Sequence, residues 1–277
     1  MGTLYLVATP IGNLEDISAR ALRILRQVRL IAAEDTRHTG KLLKYYAIET
    51  PLTSYHEHSK ESKIGQILAA LEGGEAALVS DAGTPALNDP GYELVRAALE
   101  AGHTVSPIPG PSAPIAALVA SGLPTDAFLY LGYLPRKSAE RRRLLEEIAP
   151  LPYTLIFLET PHRLLAALAD LESILGDRQV AVARELTKLF EEIFRGPVSA
   201  ARGHFGLQPP RGEFTLVVAG ASQEKETWTE DRLRSALKAS LEQGSPPSQV
   251  ASRLAAEAGW PRRTVYRIMT EMEGRDK

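Results

Sequence analysis

Short apolar runs that alternate with stretches of helical periodicity constrain this chain more than any other feature. Leu4 to Ala8 is apolar and runs into Thr9-Pro10 and Gly12, which predicts a buried strand entering a loop. Ile17, Ala21, Leu25 and Val28 then repeat at helical spacing, with Asp16 or Ser18 available as an N-cap. Leu30–Ala33, Ala76–Ser80 and His103–Ile108 read as further strands. Between them, Ile64, Ile67, Leu68 and Leu71 mark a helix closed by Gly73-Gly74, and Leu94, Val95, Ala98 and Leu99 mark one closed by Gly102. This β-α-β rhythm predicts a largely parallel sheet with helices on its faces.

From Phe128 the rhythm changes. Phe128–Tyr133, Thr154–Leu158 and Val180–Ala183 read as strands separated by helices over 138–149 and 161–175. Ile193–Arg195 and Phe214–Ala219 follow with less helix between them, so the second sheet is expected to be mixed or partly antiparallel. Ser121 to Thr125 reads as a linker, and the polar run SQEKETW (222–228) as another. In the tail, Gly244 to Ser248 breaks the chain. Ser248 can cap a helix carrying Val250, Leu254 and Ala255; Gly259 follows, and Pro261 opens a helix with Val265, Ile268 and Met269. Two short helices joined through a glycine fit a helix-turn-helix. The expected architecture is α/β: a first domain over 1–121, a second over 122–221 and a small helical domain over 228–277.

A chain of 277 residues needs no disulfide or metal to fold, and with no cysteine it has no disulfide scaffold, Cys-based zinc site or thiol nucleophile. No apolar run reaches the ~18 residues of a membrane span, and the first residues lack the basic segment of a signal peptide. The expectation is a cytoplasmic enzyme. A net charge of −2 argues against coating nucleic acid by bulk charge. Locally the balance differs: residues 228–277 carry nine Lys/Arg and seven Asp/Glu, leaving −4 for residues 1–227. Arg136, Lys137, Arg141, Arg142 and Arg143 crowd together with only Glu140 opposing them, and Arg262, Arg263 and Arg267 fall at the start of the last helix. Either group can guide a phosphate backbone; the alternative is a solvated helix face.

The segments that end strands carry the chemistry: TPIGN (9–13), EDTRHTG (34–40), SDAGTPALNDPG (80–91), PIPGPSA (107–113), LETPHR (158–163) and RELTKLFEE (184–192). In open α/β sheets ligands sit outside the carboxyl ends of strands, so six such loops predict a shared cleft. Asp81 can accept from a hydroxyl or amine, Gly83 permits close backbone approach, and Gly110 and Ser112 precede a helix whose free N–H groups suit a carboxylate. Taken singly, each loop is also ordinary tight-turn chemistry. Neither G-x-x-x-x-G-K-[S/T] nor a strand-following G-x-G-x-x-G occurs, which excludes a P-loop NTPase and an ordinary dinucleotide fold. His56-Glu57-His58 lacks a third ligand, so no metal is expected.

The segments VATPIGNLEDIS, AAEDTRHTGKLL, SYHEH, SDAGTPALNDPG, PGPSA, ETPHR, RELTKLFEE and GEFTLVV, in this order over about 220 residues, resemble the tetrapyrrole-methylase superfamily of S-adenosylmethionine-dependent methyltransferases. TPIGN in place of a G-x-G-P-G-type loop, and SDAG in place of GDP, agree with its ribosomal RNA branch. The resemblance implies two α/β domains with S-adenosyl-L-methionine between them, a homodimer, and 2′-O-methylation of a cytidine in 16S rRNA of the small ribosomal subunit. Its cofactor contacts fall on Pro10, Ile11, Ser80, Asp81, Thr84, Ser112, Ala113, Leu158 and Leu186. Asp35, Arg37, Glu159, Glu185 and Lys188 follow strands and are the candidates to activate a ribose hydroxyl. Arg136, Lys137, Arg141, Arg142, Arg163, Arg262, Arg263 and Arg267 are the candidates to hold RNA. The competing readings are a methyltransferase for a tetrapyrrole or other small molecule, and an RNA-binding module without activity.

Overall fold

The structure is a computed structural model that describes residues 1–56, 60–222, 228–242 and 246–273. The chain divides into two compact units, Met1–Ala221 and Ser222–Lys277.

The larger unit holds two five-stranded sheets. The first contains β1 (Thr3–Val7), β2 (Leu30–Ala33), β3 (Leu52–Ser54), β4 (Ala76–Val79) and β5 (Thr104–Ile108) in the order β3-β2-β4-β1-β5, every pair parallel. β4 is buried at every position, as a central parallel strand must be when helices cover both faces. α1 (Ala19–Gln27) and α2 (Thr36–Tyr45) cover one face through Ile24, Leu25 and Leu43. α3 (Lys60–Glu72) and α4 (Tyr92–Glu100) cover the other through Ile67, Leu71 and Leu94. Ser18 caps α1 by accepting the Ala21 N–H at 3.0 Å, which settles the choice between Ser18 and Asp16; Asp16 ends a 3₁₀ turn over Leu14–Asp16. EDTRHTG is not a loop throughout, because Asp35 caps α2 and the rest is helix. Neither α2 nor the three-residue β3 was anticipated.

The second sheet contains β6 (Phe128–Tyr133), β7 (Thr154–Glu159), β8 (Gln179–Arg184), β9 (Glu192–Pro197) and β10 (Phe214–Val218) in the order β6-β7-β10-β8-β9. Only β6 and β7 are parallel; the other pairs are antiparallel, so the sheet is mixed as expected. α6 (Ser138–Ile148), α7 (Pro161–Leu175) and the unanticipated α8 (Val198–Gly206) pack on one face around Phe157, Leu168 and Phe205. α5 (Ala113–Ser121) covers the other, with Ala117 and Leu118 against Ile156, Ala181 and Val217. The helix that follows β5 in sequence therefore belongs by packing to the second sheet. Gly122, at φ +79°, ends it in the left-handed region.

The smaller unit is three helices, α9 (Glu230–Glu242), α10 (Pro247–Ala258) and α11 (Arg262–Glu273), around Leu237, Leu254 and Ile268. Gly259, at φ +68°, turns α10 into α11. α9 was not anticipated, and α10 starts at Pro247 with Pro246 as N-cap, so Ser248 lies inside the helix and does not cap it. Glu57 and His58 of the His-x-His segment, residues 223–227 of the second linker, and Gly244-Ser245 lie outside the described residues. Among the described residues no helix is long and apolar enough to cross a membrane.

Candidate active site

The carboxyl ends of β1, β2, β4, β7 and β8 and the start of α5 open onto one cavity of ≈260 Å³. Thr9 and Gly83 exchange backbone hydrogen bonds of 2.9 and 3.0 Å, which brings the loops after β1 and β4 together. Gly83 sits at φ +79°, and an added Cβ would also lie 3.4 Å from Ile11 Cγ2. The second sheet reaches the same place through the loop after β8. There the Asn13 N–H donates to Thr187 Oγ1 at 3.1 Å, and any Cβ on Gly12 would lie 2.4 Å from Lys188 Cγ. Glu185 and Thr187 have φ of +51° and +66°. A β-branched residue in that region is strained and needs its neighbours to hold it.

Of the expected cofactor residues, Ile11, Asp81, Thr84, Ser112, Ala113, Leu158 and Leu186 line this cavity. Pro10 and Ser80 instead line an adjoining groove that shares Asp81 with it. Of the five expected to activate a hydroxyl, only Glu159 lines the cavity. Asp35 caps α2 and pairs with Arg37 at 2.7 Å. Hydrogen bonds from the Arg37 side chain and backbone hold the Asp35 carboxyl far below the usual range. Lys188 donates to Glu185 at 2.8 Å and to Glu213 at 2.9 Å, and only Glu213 of these three faces the cavity. Burial opposes the charge on Lys188, but its two carboxylate partners outweigh burial and raise its pKa.

The sequence did not single out Glu34, Asn88, Asp89, Tyr130, Tyr133 or Glu213, all of which line the cavity. Glu34, Asn88, Asp89 and Glu213 lie inside motifs quoted above, so their signal was present and unread. Five carboxylates line the wall, and among the described residues no lysine, arginine or histidine does. Burial pushes Glu34 upward and Asp81 adds to it. Burial and then the Glu34 charge push Asp89 up to about 6. Glu159 is buried and paired with Arg163 at 3.1 Å; burial raises its pKa even so. The Tyr130 hydroxyl donates to Asn88 Oδ1 at 2.6 Å, and burial pushes its pKa up to about 12. At the start of α5, Ser112 makes no side-chain capping bond, so the first backbone N–H groups remain available to an anion.

The expected RNA contacts divide. Arg141 is buried, donates to Asp170 at 2.7 Å and to the Pro135 carbonyl, and so organises α6 on α7 rather than facing a partner. Arg142 shares Asp170 at 3.2 Å, Lys137 pairs with Glu140 at 3.0 Å, and Arg163 is held by Glu159 and the Leu134 carbonyl. Arg136, Arg262 and Arg263 are exposed, and Arg267 lies 3.9 Å from Glu271.

Two open α/β layers meeting at a cavity that gathers acids and a free helix start define a methylase-type scaffold, and the chain belongs to the tetrapyrrole (corrin/porphyrin) methylase family, whose profile matches residues 3–202. Over 99% of both chains it is 50% identical to the ribosomal RNA small subunit methyltransferase I of Synechocystis sp.. It is 48% identical to the protein of the same name from Escherichia coli O157:H7, over 99% of this chain and 96% of that one. Its fold is similar to the crystal structure of uroporphyrin-III C-methyl transferase from Thermus thermophilus complexed with S-adenyl homocysteine. That match has a TM-score of 0.54 and 19% identity, over 78% of this chain and 97% of that one.

Proposed function

We propose that the protein is an S-adenosylmethionine-dependent methyltransferase acting on the 2′-hydroxyl of a cytidine in 16S rRNA of the small ribosomal subunit. The observation that carries this reading is the cavity's charge: five carboxylates with no cation among its lining residues. Such a wall suits a cationic ligand, because a positive group offsets the burial, and then the mutual repulsion, that raise Glu34 and Asp89. S-adenosylmethionine fits that demand and supplies, when bound, a methyl group on a positively charged sulfur. Asp81, Glu34 and Asp89 would face its cationic groups, the start of α5 at Ser112 and Ala113 its carboxylate, and Ile11, Leu158 and Leu186 its flat apolar part. A ribose hydroxyl also needs a proton acceptor near neutral pH. Asp89 and Glu159, raised within the wall, are the carboxylates placed to serve; Lys188 positions Glu213.

The same charge weighs against a tetrapyrrole. Its carboxylate side chains would meet carboxylates in the wall, and the nearby arginines Arg37 and Arg163 are already paired. The relatives named as ribosomal RNA methyltransferases favour RNA instead. We assign residues 1–121 and 122–221 to the cofactor, with α5 at the end of the first stretch packed on the second sheet, and 228–277, through Arg262, Arg263 and Arg267, to RNA. We further read the protein as a cytoplasmic homodimer, which light scattering would test. Tritiated methyl transfer to 16S rRNA within 30S subunits, with the ribose methyl group mapped, tests the central reading. Transfer to uroporphyrinogen and not to 30S subunits would replace it, and no heat on mixing with S-adenosylmethionine would leave an inert scaffold. Deleting 228–277 should weaken RNA binding and leave cofactor binding intact.

A further inference from the structure

Beside the cofactor cavity lies a groove of ≈300 Å³ between residues 9–14 and α2. It shares Asp81 with the cavity, but the rest of its lining holds a lysine, a histidine and an aromatic ring rather than further carboxylates. Pro10, Leu14 and Leu42 form apolar surface, and Lys41 and Tyr45 line it. His38 stands where groove and cavity meet, with Nδ1 4.0 Å from Asp81 Oδ1.

We infer that this groove takes a single-stranded ribonucleotide segment of the substrate, with a base on Tyr45 and a phosphate on Lys41. The inference rests on the RNA reading above. Tyr45 is 64% exposed although it is large and aromatic. It is held there: Tyr46 packs edge-on against it, with ring centroids 4.9 Å apart at 83°, and the Tyr46 hydroxyl donates to the Leu14 carbonyl at 2.5 Å. A fixed aromatic ring beside a cation is the pattern on which unpaired bases stack. Lys41 is exposed, and among the described residues no carboxylate lies within ion-pair distance of it. Basic charge dominates the two neighbouring helices, with Arg37 paired to the capping Asp35 and acids Glu15 and Asp16 in the turn beside Leu14. α1 and α2 pack on the same sheet face, and their charged residues are Arg20, Arg23, Arg26, Arg37, Lys41 and Lys44, with no Asp or Glu. The basic stretch at 136–143 differs, since most of its cations are bound to carboxylates. The acidic cavity and this aromatic groove with its one unpaired lysine thus suit two different ligands, a sulfonium and a stretch of nucleotides, with Asp81 between them.

Tyr45→Ala, Tyr45→Phe and Lys41→Ala, each checked for an unchanged melting curve, test this with 30S subunits as acceptor. Tyr45→Ala should raise KM for 30S subunits roughly 10- to 100-fold, the size of one lost base stack. Its kcat at saturation and its affinity for S-adenosylmethionine by calorimetry should stay at wild type, and Tyr45→Phe should restore KM. Lys41→Ala should lower the slope of log affinity against log salt by about 1. Wild-type KM and salt slope in the two alanine variants would overturn the inference, as would a fall in kcat at constant KM. If the unaltered protein itself transfers no methyl group to 30S subunits, the RNA reading has failed, and this one with it.

Discussion

The two walls of the cavity come from different sheets and treat charge differently. The first sheet contributes Glu34, Asp81 and Asp89, none of which has a lysine or arginine within ion-pair distance among the described residues. The second contributes Glu159 and Glu213, each bound to a cation, Arg163 and Lys188, together with apolar Leu158, Ala183, Leu186 and Phe214. Leaving a half-buried carboxylate unpaired costs stability, and a fold has no internal reason to gather three. The acids on the second sheet carry lysine or arginine partners; among the described residues those on the first do not, and Asp81 has only His38 at 4.0 Å.

That contrast can be broken most severely at a compensated charge. Arg141→Ala would leave Asp170 in the packing of α6 on α7 without its main partner. It should cost about 3–5 kcal/mol by urea unfolding, the usual penalty for breaking a buried pair. A loss below about 1 kcal/mol would mean that pairing does not support the second layer. Next in size, Asp81→Asn should lower affinity for S-adenosylmethionine roughly 10- to 100-fold by calorimetry while the melting temperature barely moves, because among the described residues Asp81 has no lysine or arginine partner and only an exposed His38 at 4.0 Å. A lowered melting temperature with normal binding would reverse the assignment.

A smaller effect follows from Asp89, whose pKa burial and Glu34 push up to about 6. This lies above the ordinary aspartate value of about 4. Stability gained from the neutral form is therefore complete below about pH 4 and is lost as pH rises through about 6. A cationic ligand gains over the same window. The preference for S-adenosylmethionine over its neutral product S-adenosylhomocysteine should grow by up to about tenfold between pH 5 and 7. In Asp89→Asn the ratio should be flat with pH. The smallest expected effect is at Lys188. Lys188 lies outside the cavity lining and donates to two carboxylates, so Lys188→Ala should change kcat less than about threefold and act mainly on KM for the cofactor through Glu213. A loss of a hundredfold or more in kcat would place Lys188 in the chemistry.

Much of this was legible along the chain. The apolar runs of β1, β4, β7 and β10 stand out because a buried strand must be apolar throughout, and Gly73, Gly102 and Gly259 mark where helices stop. The loops were recognisable by their glycines and prolines, and Asp81, Ser112 and Leu186, far apart in sequence, do meet at one cavity. Short or weakly periodic elements were not legible. β3 has three residues, and α2 buries only Thr39 and Leu43, too few to announce a face.

Charge was the least legible property. Arg141 looks like a surface cation in a basic run and Arg163 like one at a strand-end loop, yet one is buried against an aspartate 29 residues away and the other is held by a buried glutamate. Lys41 and Tyr45 drew no notice within TRHTGKLLKY, yet they line the groove beside the cavity. By itself the sequence determined the order of the strongly apolar strands and periodic helices, most of the stops between them and the family, since periodicity, caps and turns act over a few neighbouring residues. Only the tertiary structure decided which acids were answered by a cation, which sheet α5 covered and which loops shared a hollow. Those outcomes depend on groups brought together from distant parts of the chain, where burial and distance set the strength of every charge.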